Sequence, residues 1–391
     1  MHLDHTKIIA ALRTVVGEAA EVALHEPEFS GNERHYINEC IDSTFVSSVG
    51  KFVSRFEEML TTATGARFAI ACVNGTAALQ VCLKLVGTGA GDEVLMPALT
   101  FVATANAASF LGAVPHFIDS DSRTLGLCPT ALQTRLEEIG ERRQDGIYNR
   151  QTGRRLAVIV AMHTFGHPVD LEQLMRVADA WGIPVVEDAA ESLGSLYRGR
   201  HTGTFGRVAA LSFNGNKIVT TGGGGAILTS DESLARRALH ITTTAKTPHP
   251  WAFYHDESGY NFRMPNLNAA LGCAQLEKLQ DFVDRKRRLA ESYEAVFENI
   301  EGMQFFVEPE GTRSNYWLNT LLIDSDRSNS RDSLLAALHE AGLKARPAWT
   351  LMNRLPMYQH APGMDRPVAS DLEQRIVSIP SSAALAQPRV T

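Results

Sequence analysis

Cysteine is scarce in this chain: there are 5 in 391 residues, and Cys40, Cys72, Cys82, Cys128 and Cys273 form no CxxC pair. That spacing argues against a zinc ribbon or a disulfide framework and predicts reduced thiols in apolar segments, with no metal site. Positive charge is also short, since 37 Lys and Arg against 44 Asp and Glu leave a net charge of −7 and a pI near 6.0. A nucleic-acid surface is therefore not expected, and an anionic substrate would need local cations. No apolar run is long enough to span a bilayer, and Met1-His2-Leu3-Asp4-His5-Thr6-Lys7 lacks the basic-then-apolar order of a secretion signal. A soluble, cytoplasmic protein with no membrane partner is expected. What is present, 44% hydrophobic and 21% charged residues, suits a large core divided between two domains.

Short apolar runs alternate with helical patterns. The periodicity predicts strands at Phe68–Val73, Glu93–Pro97, Val114–Asp119, Leu156–Met162 and Ile183–Asp188, and helices at Thr76–Leu85, about Ala103–Leu111, and Leu171–Trp181. Such alternation implies an α/β fold: a mainly parallel sheet with helices on both faces and binding groups at the carboxyl ends of strands. After residue 250 the texture changes to a long helix, continuous or broken, over Asn266–Phe297, strands at Met303–Val307 and Tyr316–Ile323, and a helix at Arg331–Ala341. Residues 1–250 thus read as an N-terminal segment with the large domain, and residues 251–391 as a smaller C-terminal α+β domain. The run Asp284-Arg285-Lys286-Arg287-Arg288 reads as a solvated helix face.

Three motifs carry chemistry. Lys217 follows Ser212-Phe213-Asn214-Gly215-Asn216 and precedes Gly222–Gly225; Asp188 closes a predicted strand; Asn74-Gly75-Thr76 joins a strand to a helix. Free N–H groups and a hydroxyl at a helix start bind phosphate, and Gly75 lets the backbone approach closely. A lysine can hold pyridoxal phosphate (PLP) as a Schiff base, while a carboxylate keeps the pyridinium nitrogen protonated and the ring electron-withdrawing. Taken singly, each motif has an ordinary reading as a helix cap, a solvated lysine or a strand-to-helix turn. Their combination points to a PLP site. A dinucleotide-binding oxidoreductase is disfavoured, because Gly222–Gly225 does not follow a strand-GxGxxG-helix arrangement. A PLP-binding regulator without turnover is the runner-up.

These blocks, together with Thr100-Phe101, His163-Thr164-Phe165-Gly166-His167-Pro168-Val169-Asp170, Asp188-Ala189-Ala190-Glu191 and Tyr260-Asn261-Phe262-Arg263-Met264, follow the order found in the DegT/DnrJ/EryC1/StrS sugar aminotransferases. The chain resembles that family over nearly its whole length. The resemblance implies a fold-type-I PLP-dependent transferase, aspartate aminotransferase-like, acting as a homodimer on a nucleotide-linked keto sugar. It implies Lys217 as Schiff-base lysine and proton carrier, Asp188 at the pyridine nitrogen, and Gly75, Thr76 and Ser212 at the phosphate. Asn261 would reach that phosphate from the neighbouring subunit, Phe101 would stack on the ring, and His163 would lie near ring or sugar. Lysine at 217, where dehydrating relatives have histidine, implies transamination through PLP and its pyridoxamine form.

One position departs from the pattern. Where many members carry glutamine, this chain has Glu191, which cannot donate a hydrogen bond when ionised. It is either protonated or bonded elsewhere.

The segments Leu24-His25-Glu26-Pro27, Asp42–Lys51 and Asn315-Tyr316-Trp317-Leu318-Asn319 are similar to the LegC-like branch, which makes 4-amino-4,6-dideoxy-N-acetylhexosamines. That similarity implies transfer of the amino group of L-glutamate to C4 of a UDP-2-acetamido-4-keto-2,4,6-trideoxyhexose, with GDP- or dTDP-linked sugars as the alternative. Ser47 and Ser48 offer hydroxyls to sugar or diphosphate, Arg346 a fork for an anion, and Trp317 a cover for the sugar.

Overall fold

The computed structural model describes residues 3–386. Its centre is a sheet of seven strands: β1 (Phe68–Cys72), β2 (Glu93–Pro97), β3 (Val114–Ile118), β4 (Leu156–Met162), β5 (Val185–Asp188), β6 (Val208–Ser212) and β7 (Gly225–Thr229). They lie in the order β1-β7-β6-β5-β4-β2-β3. From β6 through β5, β4 and β2 to β3 every pairing is parallel, whereas β7 runs antiparallel to both β1 and β6. The β4 sequence LAVIVAM is buried at every position, as a central strand covered on both faces must be. Successive side chains serve opposite faces: Val158 and Val160 join one apolar cluster, Ile159 and Ala161 another.

Helices α1 (His5–Val16), α2 (Glu33–Ser43), α3 (Lys51–Thr64), α4 (Gly75–Leu85), α5 (Val102–Ser109), α6 (Pro129–Ile139), α7 (Leu171–Trp181) and α8 (Glu232–Thr242) surround the sheet or precede it. The predicted long helix is two, α9 (Asn266–Leu276) and α10 (Leu279–Phe297), separated at Glu277 and Lys278. The second sheet has the order β8-β9-β11-β10, from β8 (Met303–Phe305), β9 (Asn319–Ile323), β10 (Arg346–Pro347) and β11 (Ile376–Ile379), all antiparallel. Helices α11 (Arg331–Glu340) and α12 (Pro367–Arg375) complete this unit.

Three expectations need correction. Packing does not change at residue 250. Ile8, Leu12 and Val15 of α1 share a cluster with Leu289, Tyr293, Leu321 and Leu334, so the N-terminal helix belongs with the C-terminal sheet. Conversely Ala269, Cys273, Phe282 and Val283 pack with Phe52 and Phe56 of α3 on the large sheet, and the change of partner falls within α10. Second, Asp284–Arg288 is not a uniformly solvated face. Lys286 is completely buried, because helical spacing puts it in line with Phe282, Leu289, Ala290 and Tyr293. Its Nζ donates to the carbonyls of Trp317 (3.1 Å) and Ser381. Third, the strand predicted from Tyr316 begins at Asn319, because Tyr316 takes a left-handed φ of 45°.

Four of the cysteines are buried and Cys128 is half-buried, all as free thiols. Among the described residues no helix is long and apolar enough to cross a membrane.

Candidate active site

The carboxyl ends of β5 and β6 and the start of α4 open onto one cavity of about 290 Å³. Asp188 ends β5, Ser212 ends β6, and both face Gly75 and Thr76 across the rim. Asn74 caps α4, its Oδ1 accepting the Ala77 N–H at 2.8 Å. That leaves the Gly75 and Thr76 N–H groups and the Ser212 hydroxyl without protein partners among the described residues. A Cβ on Gly75 would meet the Ser212 Cβ at 2.8 Å, and one on Gly225 would meet the Asn74 carbonyl carbon at 2.4 Å. Glycine at both positions is what lets this helix start sit against β6 and β7, leaving a cradle that fits a phosphate.

Lys217 is presented by the turn after β6, where its N–H bonds the Asn214 carbonyl at 3.0 Å and the Phe213 carbonyl takes the Thr221 N–H at 2.9 Å. Its Nζ lies 3.2 Å from Glu191 Oε1 and 3.7 Å from the centroid of the Trp317 ring. The indole is fixed in turn by Nε1 donating to the Asn216 carbonyl at 2.7 Å. Asp188 is buried; its Oδ2 accepts from Thr104 Oγ1 at 2.8 Å, and Thr104 is 2.8 Å from the Thr100 hydroxyl. Burial pushes the Asp188 carboxyl up from its ordinary value, opposed by the Thr104 bond, the Ala190 N–H, Lys217 and His163.

Glu191 is hydrogen-bonded within the chain. Its Oε2 accepts the Phe165 N–H at 2.9 Å and its Oε1 faces Lys217. Burial raises its pKa to about 7, with Lys217 pulling the other way.

The cavity thus brings together Lys217, Asp188, Glu191, Gly75, Thr76, Ser212, Phe101 and Trp317 from the residues named on sequence grounds. Five others stand outside it. The His163 ring is fully buried behind Asp188, with Nε2 3.1 Å from Glu187 and Nδ1 accepting the Val169 N–H at 3.3 Å, so it does not face the cavity. Ser47 and Ser48 are exposed in the loop before α3, where the Asn266 N–H bonds the Ser47 carbonyl at 2.6 Å, and neither lines the cavity. Asn261 is exposed, bridged to Thr243, and Arg346 is exposed on β10, the edge strand of the small sheet.

Two contributors escaped the sequence reading. Trp349 lines the cavity beside Phe101, with ring centroids 6.2 Å apart, and the hydroxyl of Thr104 holds Asp188. The only signal for Thr104 is its place one turn after Phe101 in an alanine-rich helix.

The sheet order with a single reversed strand, and a lysine and a buried carboxylate beside a phosphate cradle, define a fold-type-I PLP-dependent aminotransferase. The family model described as the DegT/DnrJ/EryC1/StrS aminotransferase family matches residues 27–391, and the chain belongs to that family. It is 34% identical over 370 residues to the GDP-perosamine synthase of Escherichia coli O157:H7, covering 94% of this chain and 95% of that one. It is 35% identical over 371 residues to EpsN of Bacillus subtilis (strain 168), covering 94% and 92%. Among solved structures, the aminotransferase TlmJ of Streptoalloteichus hindustanus superposes with a TM-score of 0.83 at 26% identity, covering 93% and 94%. DesI, solved in the presence of its TDP-sugar product, gives 0.83 at 26%, covering 96% and 92%. The protein is a PLP-dependent sugar aminotransferase.

Proposed function

We propose that this enzyme moves the amino group of L-glutamate to C4 of a nucleotide-linked 4-keto-6-deoxy sugar, with a GDP-linked sugar as the preferred acceptor. The observation that carries the reaction is the position of Lys217 Nζ on the cavity wall, between the Glu191 carboxylate and the Trp317 ring and close to Asp188. The nucleotide is supported by relatives named GDP-perosamine synthase at 34%, 32% and 32% identity. This choice puts the UDP-linked acetamido sugar of the sequence reading second.

PLP, when bound, supplies an electron-withdrawing ring that stabilises negative charge on the carbon next to the transferred nitrogen. The chain's residues divide the remaining work. The Gly75 and Thr76 N–H groups and the Ser212 hydroxyl would hold the phosphate, and Asp188, positioned by Thr104, would keep the ring nitrogen charged. Lys217 Nζ would anchor the cofactor and then act as base, carrying a proton between substrate and cofactor carbons. Phe101, Trp317 and Trp349 would form the apolar wall against the ring and the sugar.

We also propose a homodimer with shared sites. Asn261 is exposed and outside this chain's cavity, while Trp251 and Phe253, ten and eight residues before it, are each 81% exposed. Apolar exposure of that kind favours contact with a second copy.

The test supplies the loaded enzyme and L-glutamate with GDP-4-keto-6-deoxyhexose or with the UDP-linked acetamido keto sugar, and measures amino-sugar formation by mass spectrometry. Faster amination of the GDP sugar is expected. Preference for the UDP sugar would overturn the nucleotide, and amination of neither would overturn the acceptor class.

A further inference from the structure

We propose that Glu191 and Lys217 share one exchangeable proton, so that Glu191 sets the pH at which the Lys217 amine becomes a free base. The inference deepens the role given to Lys217 and rests on it only in giving the amine work to do.

Glu191 is built into place from three sides. Its Oε2 is taken by the Phe165 N–H at 2.9 Å, and Phe165 holds a left-handed φ of 56°, a costly backbone for a phenylalanine. Its own carbonyl accepts from Asn315 Nδ2 at 2.9 Å. Only Oε1 is left for a mobile partner, and Lys217 Nζ meets it at 3.2 Å. Glu191 is 3% exposed, and the Lys217 side chain 12%, so water competes weakly for the proton.

The transfer is balanced within the pair. The Nζ–H bond of the ammonium breaks and an O–H bond forms at Glu191 Oε1, converting ammonium and carboxylate to amine and carboxylic acid with unchanged total charge. Burial penalises both ions of the charged form, which brings the neutral form closer in energy than it is in water. Burial also lifts Glu191 to about 7.

The other groups facing the pair are few. Asp188, at the end of β5, raises the proton affinity of Glu191. His25, on the segment between α1 and α2, feels Lys286 of α10 and Lys217, and burial holds it neutral; both its ring nitrogens are buried without partners. His163, at the end of β4, is engaged with Glu187.

The test needs no sugar and no turnover. The full chain without cofactor is acetylated with acetic anhydride across a pH series, and modification of Lys217 is read by peptide mass spectrometry in wild type, Glu191→Gln and Glu191→Asp, with circular dichroism to confirm folding. A carboxylate in contact favours the ammonium, so Glu191→Gln is expected to lower the pH midpoint of Lys217 acetylation by about 1 unit or more. Wild type is expected to titrate more broadly, as two coupled groups do. Glu191→Asp keeps the charge but withdraws the oxygen, and should shift the midpoint in the same direction by less. An unchanged midpoint in folded Glu191→Gln overturns the proposal; should that variant not fold, an unchanged midpoint in Glu191→Asp does so. Either result leaves the amination test independent, because labelling does not depend on the acceptor sugar.

Discussion

The rim of the parallel sheet and the loops outside it differ in how much of the site each completes. At the rim, Asp188 and Glu191 are buried and Lys217 is nearly so, and their bonds run to Thr104, to the Phe165 N–H and to each other, all within one chain. In the loops, Ser47, Ser48 and Asn261 are exposed and outside the cavity, near the exposed apolar residues Phe45, Val49, Trp251 and Phe253. The contrast teaches that the rim groups find their partners within one chain, whereas the proposed work of the loop residues rests on the proposed second chain. Burial raises the energetic cost of any lost partner at the rim.

The largest break in this comparison is Lys217→Ala, which removes anchor and base together; amination should fall by at least about 10³-fold while the melting temperature stays near wild type. Next is Asp188→Asn, which removes one charge-assisted hydrogen bond, about 2–3 kcal/mol, and should cost about 10²-fold in kcat/KM. Asn261→Ala addresses the loops. If sites are shared, mixing it with Lys217→Ala should restore about a quarter of wild-type activity, since half of the randomly mixed dimers carry one intact site of two. No recovery would return both regions to a single chain.

Thr104→Val should weaken cofactor retention about tenfold by leaving Asp188 Oδ2 short of a donor, measured by equilibrium dialysis. Because the folded pKa of Glu191 is raised to about 7, the folded chain binds more protons than the unfolded one between the ordinary carboxylate range and pH 7. Cofactor-free stability should therefore fall as pH rises through that window, and Glu191→Gln should flatten the slope in urea melts. The smallest effect is expected at exposed Ser48, where Ser48→Ala should change stability by less than about 0.5 kcal/mol.

Much of the rim is legible in the sequence because its chemistry needs particular residue types at strand ends: Asp188 closes an apolar run, and Asn74-Gly75-Thr76 marks a helix start. Elements of the parallel sheet are legible for the same reason, as continuous apolar runs. The rest depends on long-range packing. Trp349 reaches the cavity from a distant segment and Thr104 reaches Asp188 from within α5, neither marked as a site residue by its own stretch of sequence, and Lys286 looks solvated until Phe282, Leu289 and Tyr293 on the same face are seen buried with it. The membership of α1 in the C-terminal unit is likewise invisible locally, since an amphipathic helix states which face it buries but not against what. Arg346 lies beside Trp349 in sequence, yet the edge strand β10 carries it out to solvent.

The most direct measurement of the central claim is made on the PLP-loaded enzyme with L-glutamate alone, following the cofactor's visible absorption and the 2-oxoglutarate released. The account predicts loss of the lysine-bound absorption, conversion to the pyridoxamine form and one 2-oxoglutarate per active site in wild type, with none of these in Lys217→Ala. An absorption band that persists unchanged with glutamate, or equal 2-oxoglutarate release by the variant, would contradict it.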